Sequence, residues 1–532
     1  MLFDRSRSYL IPPCLVGTAA VVAISIYPSA SLAAKSPQEI AEAANLVTVQ
    51  VNASIPGNGY GSGVIIAKEG KTYTVLTANH VKRDVGENPR IRTHDGKSHP
   101  ITGFQSLGSL DNEKDPDLAI LTFTSDSDYQ TATLGDSGQV AIGAQIFVFG
   151  YPVQGGKNSP QAAAERNAEF SPGYVTSYRK NAPYGYTLRY NAVTLAGMSG
   201  APVFDVDGRL VGLHGLGEQD RSAIQTESGE GVSIRIKTGF NSAIPISTFL
   251  AKRSQVREAV ANVTVNTAPS TDNPDQRLSR PESARDYFVT AIVQTDRGER
   301  LAAINSLNES INRDPNSPEA YYYRGNARHS KGDDRGAIED YTQAIKLKPN
   351  YSDAYYNRGW VRYTMKEYQA AVEDFTQVLR IDPNNAEVYY NRAAARSKLK
   401  DREGTVADFT QAIRAEPNYI SAYIERGRFR NSLGDRKGAI DDFTKAIELT
   451  PNTSINHAVA LYNRGMVRRN IKQLPAALAD LQQAADLFQK QGRTTFYEKA
   501  ADEVYWLNRE INRGQNPPTN RPNSSTPQGR SN

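Results

Sequence analysis

A chain of 532 residues is too long for one hydrophobic core, so two or three domains are expected. Its 62 basic and 57 acidic residues nearly cancel to a net charge of +5, which gives no case for a nucleic-acid partner, and 39% hydrophobic with 22% charged residues is ordinary for soluble globular protein. The one cysteine, Cys14, falls in the leader, so the mature chain has no disulfide and no cysteine nucleophile or metal ligand, and no metal or cofactor is called for.

Residues 1–34 read as a secretory signal peptide: Arg5 and Arg7 come first, an apolar run follows over 14–27, and Ser29, Ala30, Ser31, Leu32, Ala33 and Ala34 offer a small-residue cleavage site. The alternative is an uncleaved anchor, but the run is short for a membrane span. The expected product is exported, periplasmic or secreted, with no stable membrane span after cleavage.

From 35 to 253 the chain turns to strands. After a helical lead-in at 37–45, runs at 47–51, 61–67, 72–78, 117–123, 145–149, 173–177, 186–190 and 209–213 are separated by Gly, Pro and Asp turns, the pattern of an all-β barrel or sandwich. The run 72–78 ends on Asn79 and His80, Asp117 opens the run 117–123, and Ser199 sits in the turn Gly197-Met198-Ser199-Gly200. A serine hydroxyl is a weak nucleophile that needs a base and oxyanion donors. A histidine can take its proton while a carboxylate holds the ring's tautomer, and flanking glycines let the Gly197 and Ser199 N–H groups converge on one point. Asp115 and Asp111 are rivals for the carboxylate, but only Asp117 leads directly into an apolar strand.

With the order His80, Asp117, Ser199 and with Gly61-Ser62-Gly63 ahead of them, residues 46–250 resemble the chymotrypsin-fold, trypsin-like serine proteases of the bacterial exported kind. The resemblance implies two six-stranded barrels with the triad between them and an oxyanion hole from Gly197 and Ser199. Before the serine the family usually has Asp or Asn, where this chain has Met198. The ion pair that a freed N-terminus makes in trypsin therefore has no partner, and packing must hold the turn. The position that the family places on the floor of the primary pocket is Val193, which argues against cleavage after Lys or Arg. Thr194 and His214 resemble the hydroxyl and histidine with which glutamyl endopeptidases hold a substrate carboxylate, implying a preference for Glu before the scissile bond. The alternative is a satisfied strand histidine in a small-residue pocket. Gly215 and Gly217 then offer backbone to an extended substrate. Residues 218–230 read as a surface loop, 233–236 and 243–246 as strands, and 247–252 as a closing helix.

Residues 254–282 read as a flexible linker, rich in Thr, Asn, Asp, Pro and Ser from 262 onward, so the domains on either side are expected to move independently. Beyond it prolines recur at 315, 349, 383, 417 and 451, a period of 34 residues with helical patterning that is the tetratricopeptide (TPR) signature. About six repeats fill 283–512, the last stretch, 496–512, being a capping helix over the open apolar end. Arg324, Arg358, Arg392, Arg426 and Arg464 each precede an aspartate by 16 residues (Asp340, Asp374, Asp408, Asp442, Asp480), and each is expected to pair with it within its repeat. Tyr322, Tyr356, Tyr390 and Tyr462 recur at a position that resembles the groove face of TPR arrays, where extended peptides bind; with Tyr and not Lys there, the carboxylate-clamp variant is not expected. Residues 513–532 read as a disordered tail.

The fold class expected is thus an all-β double-barrel, chymotrypsin-like protease domain followed by an all-α TPR solenoid. The function expected is an exported serine endopeptidase acting on protein or peptide substrates, with a protein partner in the TPR groove. Its rival is an interaction scaffold whose protease-like domain is silent.

Overall fold

In the computed structural model, which describes residues 35–52, 60–85, 88–152, 166–195, 197–225, 231–256, 260, 262–272 and 274–515, the apolar runs become strands. The leader and the segment after Gln515 lie outside the described residues. Helix α1 (Pro37–Val47), capped reciprocally by Ser36 and Glu39, leads into β1 (Thr48–Asn52), β2 (Tyr60–Glu69), β3 (Thr72–Ala78), helix α2 (Asn79–Val85), β4 (Arg90–Arg92), β5 (Ser98–Pro100), β6 (Gly103–Ser106) and β7 (Leu118–Thr124). These strands form one seven-stranded sheet in the order β5-β4-β1-β2-β3-β7-β6. This sheet is the first of the two expected barrels, a half-barrel of seven strands where six were expected. Its terminal strands β5 and β6 are only three and four residues long and pair inward, to β4 and β7, and among the described residues no ladder joins them.

Strands β8 (Gln145–Gly150), β9 (Glu169–Tyr178), β10 (Leu188–Asn191), β11 (Pro202–Asp205), β12 (Leu210–Gln225) and β13 (Gly231–Pro245) close into a barrel in the order β10-β13-β12-β11-β8-β9, followed by helix α3 (Ile246–Lys252). Val148, Val175, Leu188, Tyr190, Val203 and Val211 fill it. The surface loop expected at 218–230 is corrected to the outer part of a long hairpin: β12 and β13 pair from Gly212 opposite Pro245 out to Gln225 opposite Gly231, and the turn between them lies outside the described residues. A ribbon reaching past its barrel has no core of its own to impose apolar alternation, so the strand signal is missing from the sequence.

Helix α4 (Pro274–Ser279) precedes, among the described residues, six helix pairs: α5 (Ala284–Asp296) with α6 (Arg300–Arg313), α7 (Pro318–Ser330) with α8 (Asp334–Leu347), α9 (Ser352–Thr364) with α10 (Tyr368–Ile381), α11 (Ala386–Lys398) with α12 (Arg402–Ala415), α13 (Ile420–Ser432) with α14 (Arg436–Leu449), and α15 (Ile455–Asn470) with α16 (Leu474–Lys490). Helix α17 (Thr494–Gln515) packs on the last pair. The arginine–aspartate pairs form as bidentate contacts, as in Arg392 Nε to Asp408 Oδ2 at 2.9 Å and Nη2 to Oδ1 at 2.7 Å, and they recur for the other four. A second arginine four residues on reaches the same carboxylate in each repeat, as Arg396 reaches Asp408 at 2.9 Å. Removing one partner of such a buried pair costs about 3–5 kcal/mol, so the pairs hold each repeat's register.

Two expectations about this half are corrected. The repeated tyrosines do not stand open on the groove. Tyr322, Tyr356 and Tyr390 are buried and Tyr462 is half-buried: Lys237 of β13 meets the Tyr322 hydroxyl and the Tyr356 ring, and Tyr351 and Tyr419 lie tilted against Tyr322 and Tyr390. Nor is the connector free of the barrel. Leu134 and Val265 form a β-bridge, Asp272 Oδ2 accepts from the Gln145 N–H at 2.7 Å, Thr271 Oγ1 donates to Asp207 Oδ1 at 2.6 Å, and Arg209 donates to the Ala268 carbonyl. Polar and backbone contacts anchor it, which a lack of large apolar residues does not reveal. The solenoid then docks: Asp296 of α5 accepts from Ser177 and Arg189 of the barrel, and Phe240 of β13 enters the cluster of Ala291, Ile292, Tyr322 and Tyr323. Barrel and solenoid share a core. Phe240→Ala is expected to cost about 3–5 kcal/mol and to split the thermal unfolding of the full chain into two transitions. Calorimetry showing one transition at the parent temperature would mean that this core carries no coupling.

Candidate active site

The β3–β7 ladder sets Ala78 opposite Leu118, so the residues just beyond, His80 on α2 and Asp117 before β7, arrive at the same end of the sheet. Asp117 Oδ1 accepts from the His80 backbone N–H at 2.8 Å, and Oδ2 lies 2.5 Å from His80 Nδ1. Burial pushes the Asp117 pKa up, but the hydrogen bonds and charge of His80 outweigh it and hold the carboxyl below its usual 3.8. A carboxylate on Nδ1 leaves Nε2 for proton transfer. Sequence reasoning missed Tyr186, whose hydroxyl donates to the same Asp117 Oδ2 at 2.6 Å. Its ring occupies the space that a side chain at Gly215 would need, 2.0 Å from where a Cβ would stand, so Gly215 serves the triad's support as well as the strand edge.

Ser199 is half-buried in a turn stitched to both sheets. Its carbonyl accepts from the Ser62 N–H of β2 at 2.8 Å, and the Gly200 N–H donates to the His214 carbonyl of β12 at 2.8 Å. Gly200 has φ +82°, and a Cβ there would stand 2.2 Å from the Ser62 carbonyl oxygen, so only glycine fits. Met198 is fully buried in the barrel core beside Gly150, which supplies the packing that replaces an ion pair. Gly197, at φ +90°, has its carbonyl pinned by Ser62 Oγ at 3.2 Å and Arg166 Nη2 at 2.8 Å. Arg166 also went unseen in the sequence. It is buried and donates further to Asn52 Oδ1, to the Gly61 carbonyl and to the Tyr151 carbonyl, and burial pulls its pKa down to about 9, which leaves it charged at neutral pH. It fixes the rotation of the residue whose N–H is expected to face an oxyanion. Among the described residues the Ser199 N–H has no partner, and no hydrogen bond joins Ser199 Oγ to His80. The arrangement thus brings His80 and Asp117 together and holds Ser199 in a separate, prepared turn.

The specificity residues are placed differently from expectation. His214 is buried, with Nδ1 2.7 Å from the Tyr190 hydroxyl, and burial lowers its pKa to about 3. The free chain therefore holds this imidazole neutral, and in the tautomer whose Nδ1 accepts from Tyr190 the ring proton sits on Nε2. Thr194 Oγ1 already donates to Asn241 Oδ1 at 2.6 Å. Val193, expected on a pocket floor, is 42% exposed and lines, with Thr194, a cavity of about 620 Å³ between barrel and solenoid. Gly217 pairs with Asn241 in the β12–β13 ladder, while Gly215 falls at a register shift between His214 and Leu216.

Residues 61–213 match the family model of the trypsin-like peptidase domain, and residues 325–366, 352–385, 386–419 and 420–453 match models of the TPR or tetratricopeptide repeat. The chain therefore joins a trypsin-like peptidase domain to a TPR solenoid. Among proteins with a known name it is similar to the serine protease Do-like HtrA of Bacillus subtilis, 26% identical over 215 residues that make up 39% of this chain and 43% of that protein. It is likewise similar to a serine protease HtrA-like of Staphylococcus epidermidis, 28% identical over 184 residues, 32% of this chain and 29% of that one. The chain thus spans less than half the length of these curated relatives. Among solved structures, MamA 41-end from Desulfovibrio magneticus RS-1 aligns at 28% identity and a TM-score of 0.30, covering 31% of this chain and 94% of that one.

Because the folded pKa of Asp117 is depressed, its contribution to stability is present above the unfolded value near 3.8 and is lost as the pH falls through the folded value. Tyr186→Phe removes a donor from that carboxylate, so it is expected to cost about 1–3 kcal/mol at neutral pH and to start the acid loss at higher pH. Denaturant melts over a descending pH series check this. Superimposed profiles for parent and variant would mean the hydroxyl does not hold the carboxylate.

Proposed function

We propose that this chain is an exported serine endopeptidase in which Ser199 is the nucleophile, His80 the general base and acid, and Asp117 the orienting carboxylate. The observation that carries the reading is the 2.5 Å contact of His80 Nδ1 with a buried Asp117 beside a serine turn that both sheets hold in place. Attack of Ser199 Oγ on the substrate carbonyl passes the serine proton to His80 Nε2. Asp117 stabilises the imidazolium, and the oxyanion accepts from the Gly197 and Ser199 N–H groups. His80 then gives the proton to the leaving amine, and water, activated the same way, frees the acyl group from Ser199. Ser199 must turn toward Nε2 as substrate binds, a tightening common to such sites.

β11 and the turn before it cover β12 through His214, whose N–H and carbonyl are taken by Ala201 and Gly200, so the edge at 215–217 opposite β13 is the place for an extended substrate to pair as an added strand. For Glu before the scissile bond, His214 Nε2–H is the donor, worth about 1.5–3 kcal/mol to a carboxylate, and Thr194 joins only by releasing Asn241. Export rests on the leader pattern of Arg5, Arg7 and the apolar run; among the described residues no helix is long and apolar enough to cross a membrane. The solenoid engages protein segments, of substrate or partner. The lack of a Ser199–His80 hydrogen bond is the observation that favours the second reading, a TPR scaffold with a silent protease domain.

Cleavage of a peptide library by the full chain beside Ser199→Ala separates the two. Activity lost by about 10³-fold or more in the variant supports the triad, and a folded parent with no Ser199-dependent cleavage moves the assignment to the scaffold. Cleavage concentrated after small or apolar residues keeps the peptidase and removes the glutamate pocket. If Glu is preferred through a neutral His214, the ratio of kcat/KM for Glu over Gln substrates is expected to be flat between about pH 6 and about pH 8, since neither carboxylate nor imidazole titrates there. A ratio falling about tenfold per pH unit would show that binding protonates the ring.

A further inference from the structure

The β12–β13 ladder shifts register twice, and at the second shift Gly217 faces Asn241 and Gln219 faces Lys237, so 238–240 bulge out opposite a single residue. Gly239 takes φ +79° there, against Tyr323 of the solenoid. The bulge turns backbone groups of Lys237 and Gly239 toward α7 and α9, which meet them. Asn357 on α9 holds both ends of the Lys237 backbone, its Oδ1 accepting from the N–H at 3.2 Å and its Nδ2 donating to the carbonyl at 3.0 Å. The Tyr322 hydroxyl donates to the same carbonyl at 2.6 Å, and the Tyr323 hydroxyl donates to the Gly239 carbonyl at 3.1 Å. The Lys237 ammonium sits 2.7 Å from Asp353 Oδ1 and 5.3 Å from the centre of the Tyr356 ring. Burial works against that charge, but Asp353, with Glu387 and Asp382 behind it, outweighs burial and raises the lysine's pKa. An asparagine reading both backbone groups of one residue, with an acid reading its side chain, is how a receptor holds an extended peptide, and here the peptide belongs to the chain itself.

Resting on the reading that the solenoid engages protein segments, we propose that the inner face of α7 and α9 is a receptor for an extended segment carrying a lysine, that Lys237 fills it in cis, and that a lysine-bearing segment of another protein takes its place. Exchange frees the end of a hairpin whose base, Gly215 to Gly217, is the substrate edge beside Ser199. Occupancy of the groove is thereby read at the cleft.

The test uses the full chain with Ser199→Ala, so that no probe is cut, and a fluorescent peptide with the sequence of residues 231–241 as the ligand. In Lys237→Glu and in Asp353→Lys, amide exchange over 231–241 is expected to rise about tenfold, and in the double charge swap to return toward the parent rate. The peptide is expected to bind Lys237→Glu about tenfold more tightly than the parent, whose receptor is already filled, and to lose about tenfold when its lysine is changed to Glu. Exchange unmoved by Lys237→Glu, a double swap no better than either single change, or equal affinity for the lysine and glutamate peptides would each overturn the proposal. If Lys237→Glu loses the parent's thermal transition, Lys237→Met carries the same measurements. None of these readouts needs cleavage: their failure with Ser199-dependent activity intact overturns this inference alone, and a silent protease domain leaves it standing.

Discussion

The pairing of β12 with β13 is the constraint on which the rest of the molecule depends. Its inner half closes the barrel between β11 and β10 and sets His214 beside the Ser199 turn. Its middle carries Phe240 into the first core of the solenoid. Its bulge offers Lys237 to Asn357. A β-ladder is stiff along its length because each strand's displacement breaks its partner's hydrogen bonds, so the three contacts are not independent. A helical solenoid joined to a barrel by a connector alone would leave the cleft indifferent to what the repeats hold. Here the two are joined through a strand of the barrel itself.

Buried charge is handled in four ways here, and the differences follow the tasks. Asp117 is kept ionised by a histidine and a tyrosine, as a carboxylate must be if it is to stabilise an imidazolium. The Arg166 Nη1 and Nη2 groups donate to carbonyl and amide oxygens and not to a carboxylate, so their hydrogen bonds lock several backbone segments to the Gly197 turn. The repeat aspartates each take two arginines, one partner more than neutrality needs, which suits a purely structural post. His214 takes the opposite course and gives up its charge in the free chain. A neutral ring that donates from Nε2 is a weaker attractor of carboxylates than an imidazolium and is less perturbed by a positive charge on His80.

Legibility followed sequence distance. His80, Asp117 and Ser199 each stand at a local signal: a strand end, a strand start and a glycine turn. The repeats were legible because each is one supersecondary unit whose spacing is copied, down to the 16-residue step from arginine to aspartate. Tyr186 and Arg166 were not, because nothing near them points to partners 69 and 31 residues away. The connector failed for a related reason. Composition reports whether a segment can bury apolar surface, and this one is held by hydrogen bonds to a surface already folded. The polar hairpin hid its strands in the same way. Lys237 and Asn357, 120 residues apart, share no pattern at all until the chain is folded.

Cis occupancy also bounds what can replace it. A segment tethered at both ends through a short ribbon has an effective concentration at its receptor on the order of millimolar, so a free competitor at micromolar concentration must bind about 10³-fold more tightly to take the site. One lysine gripped by one asparagine does not supply that margin, so the competitor needs contacts that the hairpin lacks. The next repeat carries them in the same geometry. Asn391 Nδ2 donates to the Tyr356 hydroxyl at 3.1 Å as Asn357 Nδ2 does to Tyr322 at 3.3 Å, and Glu387 stands 34 residues after Asp353. A partner that runs on across α11 engages both sets, whereas the hairpin, turning back into its barrel, reaches the second only with the Lys237 ammonium beside the Tyr356 ring. Selectivity for a long extended segment over a short one follows from that difference in reach, without any change in the chemistry of the first site.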